Sequence, residues 1–187
     1  MHRGFSLIEL LVVTGIFVVI TGVVLANNAQ FNSSVLLGNA AYDVALSIRQ
    51  AQVYGLSTRN YSGEFRVGYG VHFEGTTAYV IFADLDEDRN KRYDPGVDQV
   101  VQQITLGRGH TIQHYCGVRS DGVEDCSDNA ASLTHIDVGF LRPNPDATIT
   151  GDGPTPYSSA KIVLQSRSDE TRTITVQSTG QISVKRP

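Results

Sequence analysis

The sequence predicts an α+β protein: a long N-terminal α-helix, half transmembrane and half amphipathic, packed on an antiparallel β-sheet domain. Three observations predict it. Phe5 to Leu25 is an apolar run of 21 residues with one charge, Glu9. Leu37, Ala41, Val44, Ile48 and Ala51 then follow a 4-3-4-3 spacing, which draws one apolar stripe along a helix. From Tyr61 onward the period changes to two, the mark of half-buried strands. At 187 residues the chain has room for one domain with a real core plus an appendage. Fifteen Lys and Arg stand against 19 Asp and Glu, which argues against a surface built wholly for nucleic acid.

The apolar run comes first. As an α-helix it would extend about 31 Å, against a hydrocarbon core of roughly 30 Å. Arg3 lies on its N-terminal side, so the positive-inside tendency keeps that end cytoplasmic and exports everything after Ala26. Two kinds of processing compete. Val24-Leu25-Ala26 would suit a signal peptidase, but the run is longer than an apolar signal region of roughly 7–15 residues, and Glu9 interrupts its start. The alternative is cleavage after Gly4, which leaves the helix attached.

The stretch "RGFSLIELLVV" resembles the prepilin motif of type IV pilins and type II secretion pseudopilins. The shared features are a short basic leader, Gly4, Phe5, a glutamate at the fifth position after the glycine, and an unbroken apolar helix. In that family a membrane peptidase cuts after the glycine and methylates the new amine. The resemblance implies processing at Gly4 and Phe5. It implies an assembly role for Glu9, meeting the Phe5 amine of a neighbouring or the same subunit. A charge at the centre of a membrane helix costs roughly 2.5–3.5 kcal/mol on insertion scales, and less near the end, where Glu9 sits. In an apolar surround an amine and a carboxylate attract far more strongly than in water, although desolvation cancels much of the gain. The pair would fix a register more than add stability. The plainer reading of Glu9 is a side chain snorkelling to the interface. Where many pilins carry a bend-inducing proline this chain has Ala26, and Gly15 and Gly22 would soften the helix instead.

The helix is expected to continue from about Ser6 to Ser57. "NNAQFNSS" between run and stripe is polar but holds no proline; two helices with a hinge at Asn27–Ser34 are the alternative. Gly55 and the following "STRN" supply the stop. The expected organisation is a leader at 1–4, a transmembrane or filament-core helix at 5–26, its amphipathic continuation at 27–58, and an exported β-rich domain at 59–187.

In that domain "YGVHFE", "TAYVIFA", "VVQQITL", "HIDVGF" and "AKIVLQ" read as strands. "RTITVQSTGQISVK" reads as a hairpin turning around Ser178-Thr179-Gly180. About eight strands are expected in all. "RPNPDATITGDGPTPYSS" reads as a loop too polar for the core. The helix end "IRQAQVYGLSTR", the acidic "FADLDEDRNKRYDPGVDQV" hairpin and the terminal "ITVQSTGQISV" resemble the GspH/FimT branch of minor pseudopilins. With the N-terminal motif, the likeness covers most of the chain and implies the pilin fold.

Asp84, Asp86 and Asp88 alternate, and Asn90, Asp94 and Asp98 follow. Oxygen ligands at positions one, three and five open calcium loops. Arg89 replaces the glycine and Pro95 the bidentate glutamate of an EF-hand, and Lys91 and Arg92 dilute the negative field. Calcium is the one cofactor the sequence raises, with Asp84, Asp86, Asp88 and Asp94 as its candidate ligands. The alternative is a solvated turn. Cys116 and Cys126 flank a polar loop, and in an exported domain one disulfide would close it. Zinc would need His110, His114 and His135 as well, and their spacing fits no standard zinc motif. His110 and His114 would share a strand face without an evident carboxylate partner. No G-x-S-x-G, H-E-x-x-H or phosphate loop is present, so the sequence offers no foothold for catalysis.

These readings point to a structural subunit, a minor pilin or pseudopilin of a type II secretion pseudopilus or type IV pilus. Its expected place is the bacterial inner membrane, single-pass, with the C-terminal domain exported and later assembled into a filament. The expected partners are other pilins or pseudopilins, the prepilin peptidase, the membrane and secreted cargo. A DNA-binding minor pilin using Lys185 and Arg186 is an alternative. Two cations on a negatively charged chain give little affinity for phosphates. A secreted calcium-binding domain is the other alternative.

Overall fold

The computed structural model describes residues 6–57, 63, 67–128, 133–153 and 155–186, without the side chains of 26–32. One helix, α1, runs unbroken from Leu7 to Leu56, 50 residues or about 75 Å. Ser6 caps it in an extended conformation, its Oγ accepting the Glu9 N–H at 3.3 Å. Ser57 ends it, donating its N–H to the Val53 and Tyr54 carbonyls. The polar segment at 27–34 is continuous helix rather than a hinge.

Among the described residues ten strands follow, two more than the sequence suggests, in two antiparallel five-stranded sheets. The first holds β1 (Gly68–Glu74), β2 (Ala78–Asp84), β3 (Gln99–Thr105), β6 (His135–Phe140) and β7 (Ala147–Thr150), in the order β3-β2-β1-β6-β7. The second holds β4 (Thr111–Val118), β5 (Glu124–Cys126), β8 (Ser159–Gln165), β9 (Thr171–Gln177) and β10 (Ile182–Lys185), in the order β10-β9-β8-β4-β5. The β7 strand lies inside the stretch read as polar loop. Ala147 and Ile149 are its buried apolar positions, with Ala147 pairing with Phe140. Two inward apolar residues among prolines and glycines are too few for a period to register.

The apolar stripe builds the core. Leu37, Ala41, Val44, Ile48 and Ala51 are all 0% exposed and join Val71, Phe73, Ile81, Val138 and Phe140 of the first sheet and Ile162, Leu164, Ile174 and Val176 of the second. Burying each large aliphatic side chain contributes about 1.5–3 kcal/mol. Gly55 serves a different purpose from the helix stop expected of it. A Cβ there would sit 2.5 Å from the Phe140 carbonyl oxygen, so glycine lets the last turn of α1 touch β6. Its own carbonyl accepts the Arg142 N–H at 3.1 Å. Gln52, 2% exposed, donates to the Pro145 carbonyl at 2.8 Å and the Gly180 carbonyl at 3.3 Å. It ties the helix to the loop before β7 and to the β9–β10 turn.

Candidate functional site

From Leu7 to Leu25 α1 carries 19 residues long and apolar enough to cross a membrane, none of them buried in the protein. Glu9 lies in the first turn, with its N–H on Ser6. A carboxylate there faces the positive end of the helix dipole, and Ser6-x-x-Glu9 has the spacing of a capping box. This local arrangement favours Glu9 before any neighbour is present. Gly4 and Phe5 lie outside the described residues.

The β2–β3 connection is exposed at Glu87, Asp88, Pro95, Gly96 and Val97 and half-buried at Leu85, Asp86 and 89–94. It folds back over the outer face of the first sheet. Tyr93 stands 4.7 Å from the His72 ring and 5.4 Å from the Phe82 ring. Lys91 lies against Gly139, where a Cβ would come 2.5 Å from the Lys91 carbonyl oxygen. The Lys91 and Arg92 side chains reach sideways, Nζ to Thr148 Oγ1 at 3.0 Å and Nη2 to the Gly151 carbonyl at 3.0 Å. This cover explains why β1, expected to alternate, is buried on both faces.

Within the loop, carboxylates cap the backbone. Asp86 Oδ1 accepts the Arg89 N–H at 2.8 Å, and Asp88 Oδ1 accepts the Asn90 N–H at 3.2 Å. Asn90 Nδ2 bridges Asp86 Oδ2 and Asp94 Oδ2, both at 3.0 Å. Asp98 receives the Leu85 N–H at 2.9 Å on Oδ1 and the Asp94 N–H at 2.8 Å on Oδ2. The oxygens that converge belong to Asp84, Asp86 and Asp98, all within 4.8 Å of one another. Asp88 and Asp94, expected as ligands from the alternating pattern, stand outside this group. The reason is the ladder: Ala83 pairs with Gln99, so the next residues outward, Asp84 and Asp98, face each other at the loop's neck. Reading the stretch as a hairpin does not single out Asp98; the register that pairs Ala83 with Gln99 does. Burial pushes the Asp84 and Asp98 carboxyls up from the ordinary range. Burial and then the neighbouring Asp84 and Asp88 carboxyls push Asp86 up to about 7.

A second polar cluster was not foreseen. His72 and Asp137 are direct partners across β1 and β6. His72 Nδ1 lies 2.7 Å from Asp137 Oδ1, and Asp137 is 0% exposed. Glu74 Oε2 stands 3.4 Å from His72 Nε2, while His135 lies 3.7 Å from Asp137 Oδ2 and 3.1 Å from Asp152. Burial works to lower the His72 pKa, but the hydrogen bonds and charges of Asp137 and then Glu74 outweigh it, so the net shift is upward. The only sequence signal is that both residues sit off the apolar parity in "YGVHFE" and "HIDVGF".

Cys116 and Cys126 face each other across β4 and β5 and form a disulfide, with Cα atoms 4.0 Å apart. Arg119 and Asp125 pair at 2.7 Å inside the loop they close. His110 precedes β4, and a bulge between Ile112 and His114 breaks the strand parity, so the two histidines do not share a face. His114 pairs with Asp128 at 3.3 Å. Among the described residues, the three histidines considered for zinc form no group around one ion. Lys185 and Arg186, at and just beyond the end of β10, are exposed beside a groove lined by Ser34, Tyr42 and Arg172.

No family model matches the chain, and no solved structure does. The sequence is 33% identical over 95 residues to the pilin-like protein PilA1 of Thermus thermophilus, a match that covers 51% of this chain and 55% of that protein. The chain thus spans about half the length of the curated relative it matches.

Proposed function

We propose that the chain is a structural subunit of a type IV pilus-like filament, held in the membrane by Leu7–Leu25 and joined to its neighbours through the same helix. One observation carries the reading. The outward face of α1 stays apolar beyond any membrane span: Val35, Tyr42, Leu46 and Val53 are all exposed, on a 7-4-7 spacing that keeps them on one side of a helix. A membrane anchor needs no such extension. A helix packed among other copies of its kind does. The likeness to a pilin-like protein points the same way.

In this reading residues 1–4 are a leader removed after Gly4, 5–26 form the membrane and filament-core segment, 27–58 the amphipathic half, and 59–187 the exported domain. The peptidase that removes the leader also methylates the Phe5 amine. Glu9, held in the first turn by Ser6, presents its carboxylate to such an amine as subunits assemble. The finer placement is a minor pseudopilin of the GspH/FimT type in type II secretion, contacting other pseudopilins and secreted cargo. Mass spectrometry of the mature protein tests the class. A chain beginning at methylated Phe5 supports it, and one beginning at Asn27 makes the protein a secreted domain. Glu9→Leu is expected to insert and to be cleaved, yet to enter sheared filaments at least tenfold less than wild type. Equal incorporation would remove Glu9 from assembly.

A further inference from the structure

The carboxylates at the neck of the β2–β3 loop present a physical problem. Asp84 is 2% exposed. Its Oδ2 accepts the Lys91 N–H at 2.8 Å, while its Oδ1 is buried with no hydrogen-bond partner. A buried carboxylate oxygen left unpaired costs free energy on the scale of a lost charged hydrogen bond. Asp84, Asp86 and Asp98 each bring a carboxylate oxygen within 4.8 Å of the others, so like charge adds to the cost. The nearby Lys91 and Arg92 offer no relief, because both side chains are engaged with Thr148 and Gly151.

We propose that this neck is a calcium site, with Asp84, Asp86 and Asp98 as its carboxylate ligands. The donor set is all oxygen, which suits hard cations over zinc or copper. Carboxylates supplied by a loop suit calcium, which takes about six to eight oxygens in adaptable geometry, whereas magnesium demands a regular octahedron and keeps most of its waters. The ligands come from both ends of the loop, Asp84 and Asp86 from its start and Asp98 from its finish. A bound ion therefore closes the loop as a clasp and fixes Tyr93 over His72 and Phe82. The ion would neutralise the orphaned Asp84 oxygen, which the loop's own hydrogen bonds leave untouched. This inference is independent of filament assembly.

The test uses the full chain in detergent micelles, stripped with chelator and then supplied with calcium chloride. Calcium at a tenfold excess over its Kd is expected to raise Tm by about 4 °C, and magnesium at the same concentration by less. Asp86→Asn removes the shift, while Asp121→Asn, in the distant β4–β5 turn, retains it. Terbium luminescence, sensitised by Tyr93 and displaced by calcium, reports binding on the wild-type chain without any variant. Coincident melting curves with and without calcium, absence of calcium-displaceable terbium emission, or a shift that survives in Asp86→Asn would each overturn the proposal.

Discussion

The two halves of α1 share one backbone and live in opposite surroundings. From Leu7 to Leu25 every residue is exposed to whatever surrounds the protein, and the side chains are apolar on all sides of the helix. From Leu37 to Ala51 only every third or fourth residue is buried, and those five are fully buried. The first half is solvated by something the chain does not itself supply. The second is solvated by its own two sheets. Ser33 and Ser34 mark the change, bonding to Ser168 and Arg172 at 2.8 Å. One continuous helix thus serves two environments, and the breadth of the apolar surface, not helix propensity, tells them apart.

The sharpest way to break this contrast is a matched truncation. Ile48→Ala is expected to cost the domain about 2–5 kcal/mol, as buried isoleucines do, visible as a large loss in Tm. Ile20→Ala, in the exposed half, is expected to leave the domain's stability within about 0.5 kcal/mol of wild type. Equal shifts would mean the two halves are not energetically separate. A smaller effect comes from glycine. A Cβ at Gly55 meets the Phe140 backbone at 2.5 Å, whereas one at Gly15 meets nothing within 4 Å. Gly55→Ala is therefore expected to cost about 1–3 kcal/mol as an overpacked contact, measured by chemical denaturation, with Gly15→Ala neutral for the domain.

The smallest effect lies on the far side of the first sheet. His72 has Asp137 and Glu74 on either side, with the His135 ring 5.5 Å and the Tyr93 ring 4.7 Å away. Its pKa is raised in the folded state, so protonated His72 stabilises the fold. That stabilisation is complete below its unfolded pKa of about 6.5 and is lost as pH rises through the higher folded value. The Tm gap between wild type and His72→Gln should shrink as pH increases across that window. A gap that stays constant, or widens, with rising pH would show that the imidazolium is not the source.

The stripe on α1 and its two end residues are legible in the sequence because they are local: spacing and caps are settled within one or two turns. The Ser178–Gly180 hairpin is legible for the same reason. What escapes local reading is set by partner choice. His72 meets Asp137 only because β1 pairs with β6, 65 residues further along the chain. Asp98 replaces Asp88 and Asp94 at the loop neck because ladder pairing, not alternation, decides which carboxylates converge. Gly55 resembles a helix terminator by type, yet its role depends on a carbonyl contributed by β6.

The unbroken helix has one more consequence, which concerns phase. In a helix of 3.6 residues per turn, each residue advances the heading by about 100° and the height by about 1.5 Å. The polar segment between Leu25 and Leu37 is therefore a dial as well as a spacer. Its residue count sets which compass direction the β domain faces for a given seating of the apolar half. One inserted residue would swing the domain by more than a quarter turn while leaving every contact inside it intact. Seven would bring it back to within about 20°, roughly two turns higher along the axis.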